Sequence, residues 1–104
     1  ENLVENALQR GYQFRENLEK LKDKNELVKK VRGKGLLNAV VINDEEKSST
    51  AWNICMKMRD KGLIAKPTHG NIIRFAPPLV ISETEVDESC EIIEQSIKEF
   101  SKSN

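Results

Sequence analysis

Arg74 is the residue whose type and setting most directly suggest binding chemistry. It lies in the short apolar stretch 72–76, which turn-forming residues bound on both sides and which is predicted to be a strand. A guanidinium among apolar neighbours needs an anion, because an unpaired buried charge is strongly unfavourable. The pattern leaves two interpretations open: an internal ion pair, or a planar fork that binds a carboxylate through two parallel hydrogen bonds.

The other candidates for chemistry are weaker. Gly33-Lys34-Gly35 places two glycines around a lysine, but a phosphate-binding loop needs its glycines ahead of a helix, and the sequence predicts a strand there. His69 is the only histidine and lies in a turn without a Ser, Cys or acidic partner at a recognisable spacing. Lys66 lacks the apolar surroundings that a Schiff-base lysine needs.

The two cysteines are predicted to be structural. Cys55 and Cys90 are 35 positions apart inside helix-like patterns, and no second Cys or His stands at a metal-ligand spacing. We therefore expect buried apolar thiols in a reducing compartment, and neither a disulfide nor a metal site.

Composition limits the class of protein and of partner. The chain has 104 residues, with 17 basic and 17 acidic side chains and a formal net charge of +0, which suits a single domain of modest stability. The even balance argues against a nucleic-acid binder, which normally has a basic excess on one face. No apolar run approaches the roughly 20 residues of a membrane span, so we expect no membrane partner.

The first residues suggest a piece of a longer protein. The sequence does not begin with methionine, and it opens at Glu1-Asn2-Leu3-Val4 with no evident capping residue before the first apolar positions of a helix. It also lacks the positive charge and the apolar stretch that begin a signal peptide. We expect that essential parts of the functional protein lie elsewhere.

Apolar periodicity predicts helices packed on a small sheet. In order, the predicted elements are a helix over 2–21, an extended stretch over 28–42, a helix over 50–61, short strands over 63–66 and 72–76, and a last helix from the capping box Ser82–Glu85. This order indicates an α+β fold, with helices covering a sheet.

Some positions carry a prediction about packing. Gly11, in the middle of the first helix, is expected to allow close contact with a neighbour, and the pair Gly33 and Gly35 to form a bulge or a close backbone approach. From Leu36 onward the extended stretch is apolar on both faces, so we expect a central strand or one covered on both sides.

Three stretches together resemble a known family: VRGKGLL at 31–37, GLIAKPTHG at 62–70 and IIRFAPPL at 72–79. They look like the C-terminal part of the ornithine aminotransferases, which belong to the class III pyridoxal-phosphate-dependent aminotransferases. The stretch KPTHG at 66–70 points to the ornithine enzymes rather than to the acetylornithine or 4-aminobutyrate enzymes of the same class.

The resemblance implies that residues 1–104 form the C-terminal small domain of a fold-type I enzyme, with a small, mostly antiparallel sheet. The large domain, absent from this chain, would bind pyridoxal phosphate and supply the Schiff-base lysine. We therefore expect no catalytic, cofactor-binding or metal-binding residue here. Arg74 matches the family arginine that receives a substrate carboxylate and pairs with a glutamate of the large domain.

The resemblance also implies an activity and partners for the intact protein. The terminal amino group of ornithine would pass to 2-oxoglutarate, giving glutamate 5-semialdehyde and glutamate. The partners would be the chain's own large domain, which would cover the strand over 36–42 and the final helix, and a second identical subunit. The compartment would be intracellular, with the cytoplasm favoured over the mitochondrial matrix.

Two alternatives stand beside this interpretation. One is another class III aminotransferase, of the acetylornithine or 4-aminobutyrate type. The other is a non-catalytic α+β binding module, since small domains of this kind often have that role. The apolar strands, which have too few helices to cover both faces, argue against the module.

Overall fold

The computed structural model describes residues 2–45, 47–69, 71–77 and 81–103, and these form three helices and a four-stranded sheet. The elements are α1 (Leu3–Lys24), β1 (Val28–Lys34), β2 (Leu37–Ile42), α2 (Thr50–Asp60), β3 (Lys66–Thr68), β4 (Ile72–Phe75) and α3 (Glu83–Ser103). Gly70, Pro78 and Leu79 of the family-like stretches lie outside the described residues. None of the described helices has the length and apolarity that a bilayer crossing needs.

The sheet has the strand order β1-β2-β4-β3, and every neighbouring pair is antiparallel. The predicted α+β class with an antiparallel sheet is thus confirmed, and β2 is a central strand as expected. Sequence analysis treated 28–42 as one interrupted stretch, whereas the structure folds it into a hairpin in which Lys34 pairs with Leu37. The turn between them uses Gly35 at φ +58°, a conformation that favours glycine.

Helix α1 lies against this hairpin through Gly11. A Cβ atom at Gly11 would overlap the carbonyl oxygen of Gly35, so the predicted close contact is confirmed and its neighbour is identified. The prediction of an uncapped start is wrong: the Asn2 side chain accepts a hydrogen bond from the Glu5 N–H at 3.0 Å and caps the helix.

The other helix ends follow local sequence rules. In α3 the predicted capping box is present, because the Ser82 N–H donates to Glu85 Oε1 at 2.9 Å and the Glu85 N–H donates to Ser82 Oγ at 3.1 Å. The third strand is displaced from its predicted position, 63–66, to Lys66–Thr68. Residues 61–63 instead form the C-terminal cap of α2. Gly62 has φ +95°, and the Leu63 N–H donates a hydrogen bond to the Met58 carbonyl oxygen at 2.9 Å.

The core lies between one face of the sheet and the three helices. Its most deeply buried members are Phe14, Leu18, Val40, Ile42, Ile54, Met58, Ile73, Val86, Ile93 and Ile97. The inward face of α3 is thus covered by this chain's own elements, which corrects the expectation that a large domain would cover it. The opposite face of the sheet has no helix on it within the described residues, and Leu37 there is 67% exposed.

Candidate functional site

The candidate site is the uncovered face of the sheet. Directly paired residues of an antiparallel sheet point to the same side, and successive residues along one strand point to opposite sides. Asn38, Val40 and Ile42 of β2 are buried toward the helices, so Leu37, Ala39 and Val41 face outward. The register then places every side chain paired with Ala39 or Val41 on the outer face.

One row of paired residues crosses all four strands and carries three cations. Ala39 pairs with Arg32 on one side and with Arg74 on the other, and Arg74 pairs in turn with Lys66. Arg32, Arg74 and Lys66 are all exposed. The row therefore presents two guanidinium groups and one ammonium group on the same surface.

Arg74 is therefore not a buried charge, contrary to the premise of the sequence prediction. Its strand is apolar on the inner side only, where Ile73 and Phe75 are 1% and 3% exposed. No carboxylate forms an ion pair with Arg74 in the described part of the chain, which removes the internal ion pair as an interpretation there. The guanidinium is exposed and is paired with no carboxylate of the described residues, so it can accept an anion as a ligand.

The charge of the face is one-sided. Lys30 and Lys34 also pair with outward-facing residues of β2, and none of the four strands contains an Asp or Glu. The sequence has 17 basic and 17 acidic side chains, and all of the acidic ones lie outside these four strands. Like charges directly opposite each other, as in Lys66 and Arg74, destabilise a sheet, and a bound anion removes that cost.

The three cations share one depression. It has a volume of about 420 Å³ and is lined by Arg32, Gly33, Leu37, Asn38, Ala39, Lys66, Ile72, Arg74, Phe75 and Ala76. Ala39 stands between Arg32 and Arg74 in the row, so space remains where a larger residue would fill it. The arrangement suits a small anion with an apolar part.

The hairpin that carries Arg32 is held by Arg15 of α1. Arg15 Nη1 donates to the carbonyl oxygen of Gly35 at 2.8 Å and to Asn38 Oδ1 at 2.9 Å. A Cβ atom at Gly33 would overlap Asn38 Oδ1, so the predicted close approach at the glycine pair is confirmed. Sequence analysis missed Arg15 and Asn38. The available signal was that Arg15 lies one helical turn after Gly11, on the same side of α1.

The start of β4 is held by Asn71, which is 2% exposed and has φ +58°. Its Oδ1 accepts from the Ala51 N–H at 3.2 Å, and its Nδ2 donates to Ser48 Oγ at 2.8 Å and to the Glu45 carbonyl. It therefore caps α2, whose own Ser49 makes no side-chain cap bond. Sequence analysis placed only turn-forming residues before the stretch 72–76 and did not predict this buried role.

The remaining candidates lie apart from the depression or lack its chemistry. His69 is exposed in the turn before β4. Burial raises the pKa of Cys55 and of Cys90 to about 11, so neither thiol is an activated nucleophile, and both are free. Among the described residues, no group of three or more His, Cys, Asp or Glu could hold a metal ion.

Sequence comparison identifies relatives of almost the whole chain. The profile of the family described as aminotransferase class-III matches residues 1–97. The ornithine aminotransferase of Emericella nidulans is 54% identical over 102 residues, and the mitochondrial ornithine aminotransferase of Rattus norvegicus is 55% identical over 100 residues. Each alignment covers 96% of this chain and 22% of the relative, so the chain spans about a fifth of these proteins.

Solved structures agree on the fold. The acetylornithine aminotransferase from Elizabethkingia anophelis matches with a TM-score of 0.90 and 57% identity, over 93% of this chain and 25% of that protein. The ornithine aminotransferase from Plasmodium yoelii matches with a TM-score of 0.85 and 40% identity, over 94% of this chain and 26% of that protein. The resemblance drawn from the three sequence stretches is thereby confirmed.

Proposed function

The chain belongs to the class-III aminotransferase family, and we propose that residues 1–104 form the C-terminal small domain of an ornithine aminotransferase. Curated relatives at 54% and 55% identity carry that name, and the chain matches about a fifth of their length. The observation that carries the proposal is the uncovered cationic face around Arg74, where no carboxylate of the described residues pairs with the guanidinium.

In the proposed reaction, ornithine gives its terminal amino group to 2-oxoglutarate, and glutamate 5-semialdehyde and glutamate are formed. Both substrates carry carboxylates, and Arg74 presents a planar fork that can bind one of them through two hydrogen bonds. A charge-assisted contact of this kind contributes about 1.5–3 kcal/mol. We therefore assign Arg74 to substrate binding. Between turnovers, we expect a glutamate of the large domain to be the counter-anion of Arg74.

The described residues do not fit a bound pyridoxal phosphate. Lys66 is exposed on the sheet face, so it is not desolvated as a Schiff-base lysine in an apolar pocket is. Gly33 and Gly35 belong to a hairpin between two strands, so no helix N-terminus follows them to receive a phosphate. We assign the cofactor, its lysine and its phosphate site to the large domain.

Partners and compartment belong to the same proposal. The large domain and a second identical subunit would complete the active site, and the outward face of the sheet is the surface available to them. The named relatives include a mitochondrial enzyme and one whose name gives no compartment. An intracellular location fits either, and we retain the cytoplasm as the favoured one.

A second candidate is an acetylornithine aminotransferase, because the Elizabethkingia anophelis enzyme of that name is 57% identical over the aligned region. The two reactions differ in the donor: ornithine has a free α-amino group, and acetylornithine has an amide there. The stretch KPTHG at 66–70, which resembles the ornithine enzymes, favours the first candidate.

Donor selectivity tests the proposal. The full-length enzyme that contains this chain is assayed with 2-oxoglutarate and either ornithine or N-acetylornithine, and the aldehyde products are identified by mass. A higher kcat/KM with ornithine supports the first candidate. A higher kcat/KM with N-acetylornithine supports the second, and transamination with neither refutes both and favours a non-catalytic binding module.

A further inference from the structure

We propose that Lys66 and Arg32 act with Arg74 as one anion site, and that their charges make the site selective for 2-oxo acids with two carboxylates. This inference rests on the proposed function and assigns the flanking cations a role in choosing the acceptor. Arg74 makes the direct contact, and the other two residues raise the affinity of the site by their positive potential.

The register gives the distances that matter. Lys66 and Arg74 are a directly opposed pair, and the Cβ atoms of such pairs lie about 4.5–5.5 Å apart. Arg32 is two strands from Arg74 across Ala39, which corresponds to about 10 Å at the usual strand spacing. At 0.15 M ionic strength charges act over about 8 Å, so Lys66 should contribute more than Arg32.

Nothing within the described chain neutralises these cations. The four strands lack Asp and Glu, and no ion pair involves Arg32, Lys66 or Arg74 among the described residues. In contrast, Lys61 on the helical side is paired with Glu99 at 2.8 Å. The depression therefore brings together three cations that have no ion-pair partner among the described residues.

The depression within this face has a size that suits a small anion. The charged side chains line a depression of about 420 Å³, and the small side chains of Ala39 and Ala76 leave it open. Outward-facing Leu37 and Ile72 supply apolar surface for the carbon chain of the ligand. Three cations around such a space attract a dianion more strongly than a monoanion, because each carboxylate interacts with every positive charge.

The same charges have a different effect on the two substrates. Ornithine carries two ammonium groups and one carboxylate near neutral pH, so its net charge is positive, whereas 2-oxoglutarate is a dianion. Removing a cation from the depression should therefore weaken binding of the acceptor and leave binding of the donor unchanged or slightly improved.

The test measures the two half-reactions separately in the full-length enzyme and its variants. Lys66→Gln should raise the apparent dissociation constant of 2-oxoglutarate about three- to tenfold, and Arg32→Gln about two- to fivefold. Lys66→Arg, which keeps the charge, should remain within about twofold of the original enzyme. The matched control is Lys30→Gln, which removes the same charge from the same face outside the depression and should change the constant less than about twofold.

Two further readouts separate charge from structure. The dissociation constant of 2-oxoglutarate should rise with salt in the original enzyme, and this dependence should be smaller in Lys66→Gln. As a competitive inhibitor, glutarate should lose more affinity than butyrate in the same variant, because only glutarate is a dianion.

Several outcomes would overturn the inference. The first is an equal effect of Lys30→Gln and Lys66→Gln on the dissociation constant of 2-oxoglutarate. The second is a salt dependence that is the same in Lys66→Gln as in the original enzyme. The third is an equal loss in the two half-reactions of Lys66→Gln, which would indicate that Lys66 contacts another part of the enzyme instead. If the original enzyme transaminates ornithine while one of these results appears, the inference fails and the proposed function stands.

Discussion

Replacing Arg74 with alanine should impair one half of the reaction far more than the other. The donor half needs ornithine to enter by its terminal amine, and there we expect Arg74 to be neutralised by a large-domain glutamate. The acceptor half requires 2-oxoglutarate to place a carboxylate beside its reacting carbon, and Arg74 is then free to bind it. The substitution removes the only fork on β4 that can do so.

The magnitude follows from the setting of the side chain. Arg74 is exposed and has no ion-pair partner among the described residues, so its removal leaves no orphaned buried group and should change the free energy of unfolding by less than about 0.5 kcal/mol. Loss of a charge-assisted carboxylate contact of about 1.5–3 kcal/mol corresponds to about a ten- to hundredfold loss in the acceptor half. Arg74→Lys should recover little, because an ammonium lacks the planar fork.

Single-turnover kinetics of the two half-reactions test this prediction. Each half-reaction of the full-length enzyme is followed separately, together with thermal unfolding, for Arg74→Ala, Arg74→Lys and the control Arg59→Ala, which removes an exposed arginine from α2. Equal losses in both halves of Arg74→Ala, accompanied by a lower Tm, would refute this reasoning and show that Arg74 only supports the fold.

Three more predictions concern the chain itself. Expressed alone, the chain should associate through its uncovered sheet face, so its unfolding transition should depend on protein concentration. Leu37→Glu should reduce this association in analytical ultracentrifugation. A sharp unfolding transition that is independent of protein concentration would favour a self-sufficient module. Gly11→Ala should lower stability by about 1–3 kcal/mol in denaturant unfolding despite the better helix propensity of alanine, since its Cβ meets the Gly35 carbonyl, whereas Gln9→Ala on the exposed side of α1 should not. Hydrogen bonds from the Thr50 hydroxyl and, to a lesser extent, the Glu45 N–H hold the pKa of Asp44 below its ordinary value. The original chain should therefore have a higher free energy of unfolding than Asp44→Asn above about pH 4, and this difference should disappear as the pH falls through the lowered pKa. A difference that persists in acid would contradict this prediction.

Local signals were enough to predict most of the fold. The capping box at Ser82 acts within a few residues and appears as predicted. The hairpin at Gly35 was missed because two apolar strands on either side of a short turn have the same composition as one long strand. The side chain of Asn2 was overlooked although asparagine is a favoured helix cap.

The site was predicted less completely than the fold, for a physical reason. The type of Arg74 and its place in a strand were visible, but its exposure depends on which face of the sheet the helices cover. The row formed with Arg32 and Lys66 depends on the register of three strand pairs, and no local pattern specifies that. The role of Asn71 is likewise set by an α2 terminus that lies 20 residues away in sequence.

The most direct test of the account is to locate the lysine that carries the cofactor. Borohydride reduction of the full-length enzyme, followed by peptide mapping, should show stoichiometric pyridoxyl labelling of a single lysine outside residues 1–104, because no lysine side chain that the structure describes is buried as a Schiff-base lysine needs to be. Stoichiometric labelling of Lys66, or of any other lysine of this chain, would contradict the assignment of residues 1–104 to a small domain that only completes the active site.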